Sequence, residues 1–285
     1  PHSLTLGGEI GGQSCRSQGR VSAIQAGAVS VIACEEGRIG PYHSYQMAYR
    51  FVNGVPYIAC DVSIWADFYD GAPGAPGMIG GPGHKLGAEI GFPQDMGPIT
   101  CMRKQPFLVW PYSPKIDPVF AALYWVDWAD PQAGVAMLNR GTIGYRWDGE
   151  GRRAANILAT GRLGEMQVSL GLLPHDGGWL EAGVHQAGLR FGNPLYCTYQ
   201  PAHPGKLPRQ FQLCRVEPDT LTVSSVFWAQ GKSYLRLFEH AGRATRLNFS
   251  VPGGRVTVKR VNLRLEPSTE PVKVRAHGIV TLEID

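Results

Sequence analysis

The sequence is poor in charge and contains no long apolar run. Charged residues make up 18% of its 285 residues, and no apolar stretch approaches the length that spans a bilayer. The N-terminus also lacks the successive basic, apolar and small-residue regions of a signal peptide. These absences predict a chain that neither crosses a membrane nor anchors to one.

A strong excess of positive charge is also missing. The chain has 27 Lys and Arg residues against 23 Asp and Glu residues, and its formal net charge is +4. Nucleic-acid-binding proteins gather their basic residues into a patch that follows the phosphates, whereas here these residues are scattered. We therefore expect no nucleic-acid partner.

Metal-binding patterns are absent as well. The six cysteines show no CxxC spacing, which excludes zinc ribbons and thioredoxin-like redox motifs. His175 and His185 are separated by ten positions, without a third ligand at metal-binding spacing. From these spacings we expect no metal or cofactor in this chain. Because free cysteine behaves as a small core residue, we also expect reduced, buried thiols and a cytoplasmic location.

What the sequence does contain favours β-structure. Its 37 glycines and 22 prolines suit short strands joined by tight turns, and apolar residues alternate with a period of two over most of the chain. Asn53-Gly54 separates two alternating runs, so residues 42–65 are predicted to form a hairpin. A short helix is compatible only with residues 180–191. The sequence thus predicts an all-β fold, built as a large antiparallel β-sandwich.

The domain organisation expected from these patterns is simple. Residues 1–28 are predicted to be an N-terminal lead-in, and residues 29–285 a single sandwich domain with a candidate internal boundary at the proline-rich segment 199–208. Residues 70–83, DGAPGAPGMIGGPG, contain too much Gly and Pro for a strand or a helix. This long loop is either a lid over a sugar site or a plain flexible loop.

One turn carries a distinctive set of side chains. The run His175-Asp176-Gly177-Gly178-Trp179 combines an imidazole, a carboxylate and a large aromatic face, which are groups that bind pyranosides by hydrogen bonding and stacking. His175 and Asp176 are candidate catalytic residues, and Trp179 is a candidate for sugar stacking. In the alternative interpretation, backbone hydrogen bonds fix His175 and Trp179 fills the core.

A polar pair at a predicted strand end is a second candidate. Asn139 and Arg140 precede Gly141, and a guanidinium group forms forked hydrogen bonds to a sugar hydroxyl or a carboxylate. We therefore regard Asn139 and Arg140 as candidate substrate-binding residues. The alternative is a solvated turn.

A complete hydrolytic site is not recognisable. A retaining glycosidase needs two carboxyl groups about 5 Å apart. Asp127, Asp130, Asp176 and Glu181 are available, but the sequence does not bring any two of them together, and carboxylates are usually exposed to solvent. A GxSxG elbow, a phosphate loop and a GxGxxG motif are also absent.

Residues 172–195 resemble part of a known enzyme family. The C-terminal β region of glycoside hydrolase family 38, the α-mannosidases and mannosylglycerate hydrolases, carries a phrase of the form L-x-P-H-x-G-x-W followed by an Asn, Pro and Leu element. The matching residues are Pro174, His175, Gly177, Trp179, Asn193, Pro194 and Leu195. Further similar segments are 35–37, 126–128, 134–141, 233–239 and 279–284, together with Tyr145 and Gly242. Two departures are the lack of an LLRS phrase in 156–165 and Gly178 at a position where aspartate is common.

The resemblance implies a fold, a partner and a division of labour. It implies a supersandwich of the galactose-mutarotase kind, attached in full-length relatives to an α/β catalytic domain and a helical bundle. In that family the nucleophilic aspartate and the zinc ligands belong to the N-terminal catalytic domain, so zinc is expected there and not in this chain. Expected partners are a carbohydrate substrate, that catalytic domain in the same or a partner chain, and a second copy of the chain.

Three functions remain open at this point. The chain is the β domain of an α-mannosidase-like glycoside hydrolase, or a free-standing carbohydrate-binding module that depends on Trp179. The third alternative is an epimerase- or lyase-like sugar enzyme that uses His175 as its acid or base, which requires a carboxylate partner for this histidine. One scaffold hosts many functions, so the fold alone does not choose between them.

Overall fold

The computed structural model describes most of the chain. The described residues are 3–10, 13–40, 43–66, 84–113, 118–147, 149, 153–160, 164–202, 204–206, 209–251, 256–270 and 272–284. The loop predicted at residues 70–83 lies outside these ranges, so its expected role over a sugar site stays a prediction.

The chain divides into two compact units. The first consists of Pro1–Lys104 and Pro111–Pro194, and the second of Gln105–Trp110 and Leu195–Asp285. The transition after Pro194 lies a few residues before the proline-rich segment 199–208, where the sequence suggests a boundary.

Strands and one helix account for the first part of the described chain. The strands are β1 (Ser3–Ile10), β2 (Gln13–Ala26), β3 (Ser30–Ile39), β4 (His43–Val52), β5 (Ile58–Ala66), β6 (His84–Gly91), β7 (Thr100–Gln105), β8 (Leu108–Pro111), β9 (Val119–Ala121), β10 (Trp125–Ala129), β11 (Ala133–Asn139), β12 (Gly144–Arg146), β13 (Arg153–Thr160) and β14 (Gly164–Asp176). The helix α1 follows (Val184–Gly192). The predicted hairpin at residues 42–65 is confirmed as β4 and β5, which pair antiparallel.

The first unit is one antiparallel sheet folded into two layers. Its strand order is β7-β10-β11-β14-β5-β4-β3-β2-β1-β6-β13-β12-β9. Residues 13–16 at the start of β2 pair with β1, whereas residues 17–26 of the same strand pair with β3. Strand β2 therefore belongs to both layers, and the predicted large antiparallel sandwich is confirmed.

Residues 1–28 do not form a separate lead-in where the structure describes them. They contain β1 and β2, and Leu6 of β1 is completely buried. The glycine-rich composition of this segment conceals its strands, because Gly7 and Gly8 interrupt the apolar alternation on which strand prediction depends. At Gly7, a Cβ atom would lie only 3.1 Å from the carbonyl oxygen of Cys15, so this glycine allows β1 and β2 to approach closely.

Two apolar cores lie between the layers of the first unit. In one, Leu6 and Leu86 of β1 and β6 pack with Met47, Ile64 and Leu170 of β4, β5 and β14. The second core is rich in aromatic residues: Phe92, Phe120, Trp128, Tyr145 and Trp147. Because successive side chains on a strand point to opposite faces, the residues between these core positions lie on the outer faces of the layers.

The helix is shorter than the sequence predicts. The sequence is compatible with a short helix over residues 180–191, whereas α1 begins at Val184 because Gly183 adopts a left-handed conformation with φ of 66°. At Gly188, a Cβ atom would lie 2.4 Å from Cδ1 of Trp125, so this glycine lets the helix approach β10. Gly183 thus sets the start of the helix through its backbone conformation, and Gly188 has a packing role. No helix in the described ranges is both long and apolar enough to cross a membrane.

The second unit has its own sheet and core. Its strands are β15 (Arg215–Glu217), β16 (Leu221–Ala229), β17 (Lys232–Glu239), β18 (Thr245–Arg246), β19 (Asn248–Ser250), β20 (Val258–Val261), β21 (Lys273–Val274) and β22 (Ile279–Ile284). The main sheet has the order β16-β17-β22-β20, and the other strands pair as β15 with β19 and β18 with β21. Its core contains Leu235, Leu237, Val280 and Leu282.

The cysteines differ in burial. No disulfide joins them in the part of the chain that the structure describes. Cys60 and Cys101 are buried, as the sequence predicts, and burial raises the pKa of the Cys60 thiol to about 12. The prediction of buried thiols is wrong for Cys197, which is exposed in the segment that follows α1.

Candidate functional site

Three neighbouring strands place a histidine and an aspartate on one outer face of the sandwich. Strand β11 lies between β10 and β14, and Gly134 of β11 pairs with Ala129 on one side and with His175 on the other. Asp127 is two positions before Ala129 in β10, so its side chain points to the same face. The register therefore brings His175 and Asp127 together diagonally across β11.

The two side chains form a buried hydrogen-bonded pair. Nε2 of His175 lies 2.7 Å from Oδ1 of Asp127, and the side chains are only 5% and 1% exposed. The imidazole ring lies directly over Gly134, where a Cβ atom would be 2.5 Å from Cε1 of His175. Glycine at position 134 is thus required for the contact between His175 of β14 and Asp127 of β10.

Burial and mutual attraction control the protonation of the pair. Burial raises the pKa of Asp127, although the hydrogen bond and the charge of His175 oppose this shift. Burial by itself lowers the pKa of His175, but the hydrogen bond and the charge of Asp127 outweigh it, so the pKa of His175 is raised overall. A proton on His175 therefore stabilises the folded chain.

We expect this coupling to appear as a pH-dependent stability. The contribution of His175 is fully present below its ordinary pKa of 6.5 and is lost as pH rises through the raised pKa of the folded state. In urea unfolding between about pH 6 and pH 9, the stability advantage of the wild type over His175→Gln should shrink as pH increases. Asp127→Asn removes the charge that raises this pKa and should remove the same pH dependence. A stability advantage of the wild type over His175→Gln that grows with pH would contradict a raised pKa of His175.

The turn after β14 carries Trp179 to this face. The amide of Gly177 donates to the carbonyl of Gln132 at 2.8 Å, and Gly177 has a left-handed φ of 64° that favours glycine. The Trp179 ring then packs on the buried ring of Trp125, with centroids 5.5 Å apart. One face of the Trp179 ring is therefore held against the ring of Trp125.

A small groove opens beside Trp179. Its volume is about 290 Å³, and it is lined by Pro98, Thr100, Met102, Asp127, Ala129, Asp130, Pro131, Gly178 and Trp179. The carboxylate of Asp130 accepts backbone hydrogen bonds from Gly97, Gln132 and Ala133, which lower its pKa. The groove thus combines an aromatic platform with an ionised carboxylate, a combination that suits one sugar ring. We name it the Trp179 groove.

The geometry suits His175 for positioning better than for proton transfer. Its Nε2 atom is engaged with Asp127, its Nδ1 atom lies 3.4 Å from the carbonyl oxygen of Asp176, and the ring is nearly inaccessible. The side chain of Asp176 is exposed at the end of β14. The structure therefore does not place a reactive atom of His175 in the groove, and catalysis by His175 or Asp176 stays a prediction.

Asn139 lies away from the Trp179 groove. It is at the opposite end of β11 from Gly134, roughly 17 Å along an extended strand. Its amide donates to the hydroxyl of Tyr145 at 2.7 Å, and its side-chain oxygen accepts from the amide of Gly141 at 3.3 Å. These contacts are internal, so substrate binding by Asn139 stays a prediction without support from this geometry.

Arg140 is engaged with the helix. Its Nε and Nη2 atoms donate to the carbonyl of Phe191 at 3.1 and 2.9 Å, and its guanidinium carbon lies 5.0 Å from the centre of the Phe191 ring. This forked contact satisfies a carbonyl in the last turn of α1. A positive charge at this end of a helix also interacts favourably with the helix dipole. The predicted fork is thus present, but its acceptor is the chain itself, and sugar binding by Arg140 stays a prediction.

The described residues offer no ready zinc site. Within the described ranges, no group of three or more His, Cys, Asp or Glu side chains is arranged to hold a metal ion. In the pair His175 and Asp127, Nε2 of the imidazole and Oδ1 of the carboxylate are already hydrogen-bonded to each other. The family resemblance implies zinc only in a catalytic domain outside this chain, which stays a prediction, and we assign no step to it.

Sequence reasoning found the Trp179 turn but missed its main support. Asp127 appeared only as one of several carboxylates, and Gly134 had no predicted role. A usable indication exists in hindsight: Asp127 is the one acidic residue within the apolar run of residues 125–129, where a charged side chain needs a buried partner. The identity of that partner depends on strand register, which the sequence does not provide.

Comparison with known proteins gives a result in structure but not in sequence. No protein-family model matches the chain, and no curated protein matches it either. Two similar solved structures come from Enterococcus faecalis. One, described as a protein in glycosyl hydrolase family 38, has a TM-score of 0.82 at 12% identity. The other, described as an alpha-mannosidase, has a TM-score of 0.75 at 12% identity.

The similarity extends over nearly all of this chain but only part of each relative. It covers 99% of this chain in both cases, but 40% of the first relative and 38% of the second. The chain thus spans about two fifths of the length of these solved proteins. At this level of identity the likeness shows the fold, and the resemblance predicted from residues 172–195 is confirmed at that level.

Proposed function

We propose that this chain is the β-sandwich part of an α-mannosidase-like glycoside hydrolase. In this proposal it forms a wall of the sugar site, and a separate catalytic domain supplies the nucleophile and the zinc for hydrolysis of α-mannosidic bonds. The observation that carries the proposal is the fold match over 99% of this chain to 40% of a family 38 protein. The remaining length of that relative leaves room for such a domain.

The Trp179 groove supports a contribution to sugar binding. A half-buried aromatic ring that lines a groove beside a carboxylate favours a pyranose. The apolar C–H face of the sugar stacks on the ring while its hydroxyl groups donate to the oxygen atoms. The contact with Trp125 fixes the orientation of Trp179 before the sugar arrives. Such preorganisation lowers the entropic cost of binding.

The structure favours this function over an independent epimerase- or lyase-like enzyme. That alternative needs His175 as an accessible acid or base, whereas its ring is only 5% exposed and is hydrogen-bonded to Asp127. In the proposed function, the pair instead holds β10, β11 and β14 in the register that presents the Trp179 turn. A cytoplasmic location and self-association stay predictions from the sequence.

A substitution at Trp179 tests the proposed role. The test uses this chain joined to the proposed catalytic domain, which we call the complete protein. In it, Trp179→Ala should raise KM for para-nitrophenyl α-D-mannopyranoside about tenfold, which corresponds to the loss of roughly 1.4 kcal/mol of stacking. Trp179→Phe keeps an aromatic face and should retain most of the affinity. Trp228→Ala, at an exposed tryptophan of the second unit, is the matched control. An unchanged KM in Trp179→Ala would refute the role of this groove.

A further inference from the structure

We infer that the outer face of strands β2, β3, β4, β5 and β14 carries a second carbohydrate-binding site, centred on Trp65 and selective for neutral oligosaccharides. This Trp65 groove has a volume of about 730 Å³. Ligand sites in proteins typically occupy about 300–1,000 Å³, so the groove has room for more than one sugar ring. The site itself rests on the geometry below, and only the choice of mannose as the first probe rests on the proposed function.

One row of side chains crosses all five strands. Strand pairing places Gln18 opposite Arg38, Arg38 opposite Ser44, Ser44 opposite Trp65, and Trp65 opposite Glu165. Adjacent strands are about 4.8 Å apart, so the row extends over roughly 19 Å. It therefore forms a continuous track with the proportions of a short oligosaccharide.

A second row lies beside the first. It consists of Arg20, Glu36, Gln46 and Ser63, which are consecutive partners across β2, β3, β4 and β5. The guanidinium of Arg20 lies 3.1 Å from the carboxylate of Glu36. The two rows together offer amide, hydroxyl, carboxylate and guanidinium groups, which are the donors and acceptors that sugar hydroxyls require.

Trp65 stands out on this polar surface. Its neighbours in β5, Ile64 and Val62, are buried, whereas Trp65 is 57% exposed on the outer face. A large aromatic side chain gains little from solvent exposure, and it offers an apolar platform with a polar N–H at its edge. This is the arrangement that stacks on the C–H face of a pyranose while neighbouring polar groups bind its hydroxyls.

The charges of the groove favour a neutral ligand. Arg20 and Arg38 contribute two positive charges, and Glu36 and Glu165 contribute two negative charges. The lining is therefore balanced, with Arg20 and Glu36 already neutralising each other. An anionic or cationic ligand gains no net attraction from such a surface, whereas a neutral glycan uses all of its hydrogen-bonding groups.

The floor of the groove is held rigid from the core side. Tyr45 points inward from β4, and its hydroxyl donates to the carboxylate of Glu35 in β3. Gly19 provides the space for this pair, because a Cβ atom there would lie 2.7 Å from Oε1 of Glu35. A fixed floor keeps the two rows in register, which reduces the ordering cost of binding.

The Trp65 groove is distinct from the Trp179 groove. Glu165 and His175 lie near opposite ends of β14, and ten residues of extended strand span roughly 33 Å. The two grooves share no lining residue. The Trp65 groove thus suits a distant part of a long glycan, or a separate glycan, and not the sugar ring bound beside Trp179.

Calorimetric titration of the complete protein with α-mannotriose tests this inference when every variant also carries Trp179→Ala, so that the Trp179 groove does not contribute to binding. Trp65→Ala should weaken binding about tenfold or more, equivalent to the loss of one stacked ring. Gln46→Ala should weaken it by a smaller factor, and Trp228→Ala should leave it unchanged. Turnover of para-nitrophenyl α-D-mannopyranoside, which is too small to reach both grooves, should be the same in Trp65→Ala and the wild type.

A second probe separates this inference from the proposed function. Maltotriose and cellotriose are neutral trisaccharides without mannose. Binding of either that is lost in Trp65→Ala supports the carbohydrate site even if the protein hydrolyses no mannoside. Binding of α-mannotriose that is equally strong in Trp65→Ala overturns the inference, and so does the absence of binding to all three trisaccharides.

Discussion

Glu239→Leu is expected to destabilise the second unit by at least about 4 kcal/mol, because it leaves several buried amides without an acceptor. Glu239 is completely buried at the end of β17. Its carboxylate accepts from the backbone amides of Ala241, Gly242, Arg243 and His277 at 2.8 to 3.1 Å. Each abandoned buried donor costs about 1–3 kcal/mol. The effect should appear as a large fall in the urea midpoint followed by circular dichroism.

Glu239→Gln is the matched control for this prediction. It keeps one acceptor oxygen and nearly the same shape, so we expect about half of the loss. A Glu239→Leu variant as stable as the wild type would show that the four hydrogen bonds contribute nothing net. The carboxylate of Glu239 is thus an anchor that joins residues 239–243 to His277.

Gly134→Ala is expected to destabilise the first unit by about 3 kcal/mol and to break the hydrogen bond between His175 and Asp127. The added Cβ atom would lie 2.5 Å from Cε1 of His175 and 2.7 Å from Cβ of Ala129. Ala129 belongs to the paired strand β10 and cannot move away, so the imidazole must leave. Asp127 then remains buried without its partner, which is the costly outcome for an ion pair of this kind.

Two measurements separate this effect from a general loss of packing. In Gly134→Ala, the pKa of His175 followed by NMR should return towards its ordinary value, because the Asp127 contact that raises it is lost. Gly97→Ala is the control, because the atom nearest to its added Cβ is Oδ2 of Asp130, at an ordinary contact distance of 3.5 Å. A Gly134→Ala variant with a raised His175 pKa and unchanged stability would contradict the arrangement.

Local patterns predicted the features that local interactions determine. The alternation on either side of Asn53-Gly54 identified the β4–β5 hairpin, because such a turn fixes the strand pairing next to it. The combination of Gly177 with Trp179 identified the turn that carries the aromatic platform. Both depend on residues close in sequence, so no knowledge of the tertiary structure was needed.

Features that depend on distant residues were not predictable. The partner of His175 is 48 positions earlier in the chain, and the acceptor of Arg140 is 51 positions later. The five-strand row through Trp65 joins residues from Gln18 to Glu165, and no local pattern indicates that they share a face. Strand order and register decide these contacts, and they follow from how the whole sandwich packs.

The most direct test of the account is the hydrolysis of para-nitrophenyl α-D-mannopyranoside, measured in parallel for the complete protein and for residues 1–285 alone. The account predicts that the complete protein hydrolyses the α-mannoside and that residues 1–285 alone do not. With the corresponding β-mannoside as a control substrate, it predicts little turnover by either. Hydrolysis of the α-mannoside by residues 1–285 alone would contradict it, as would a complete protein that hydrolyses no α-mannoside.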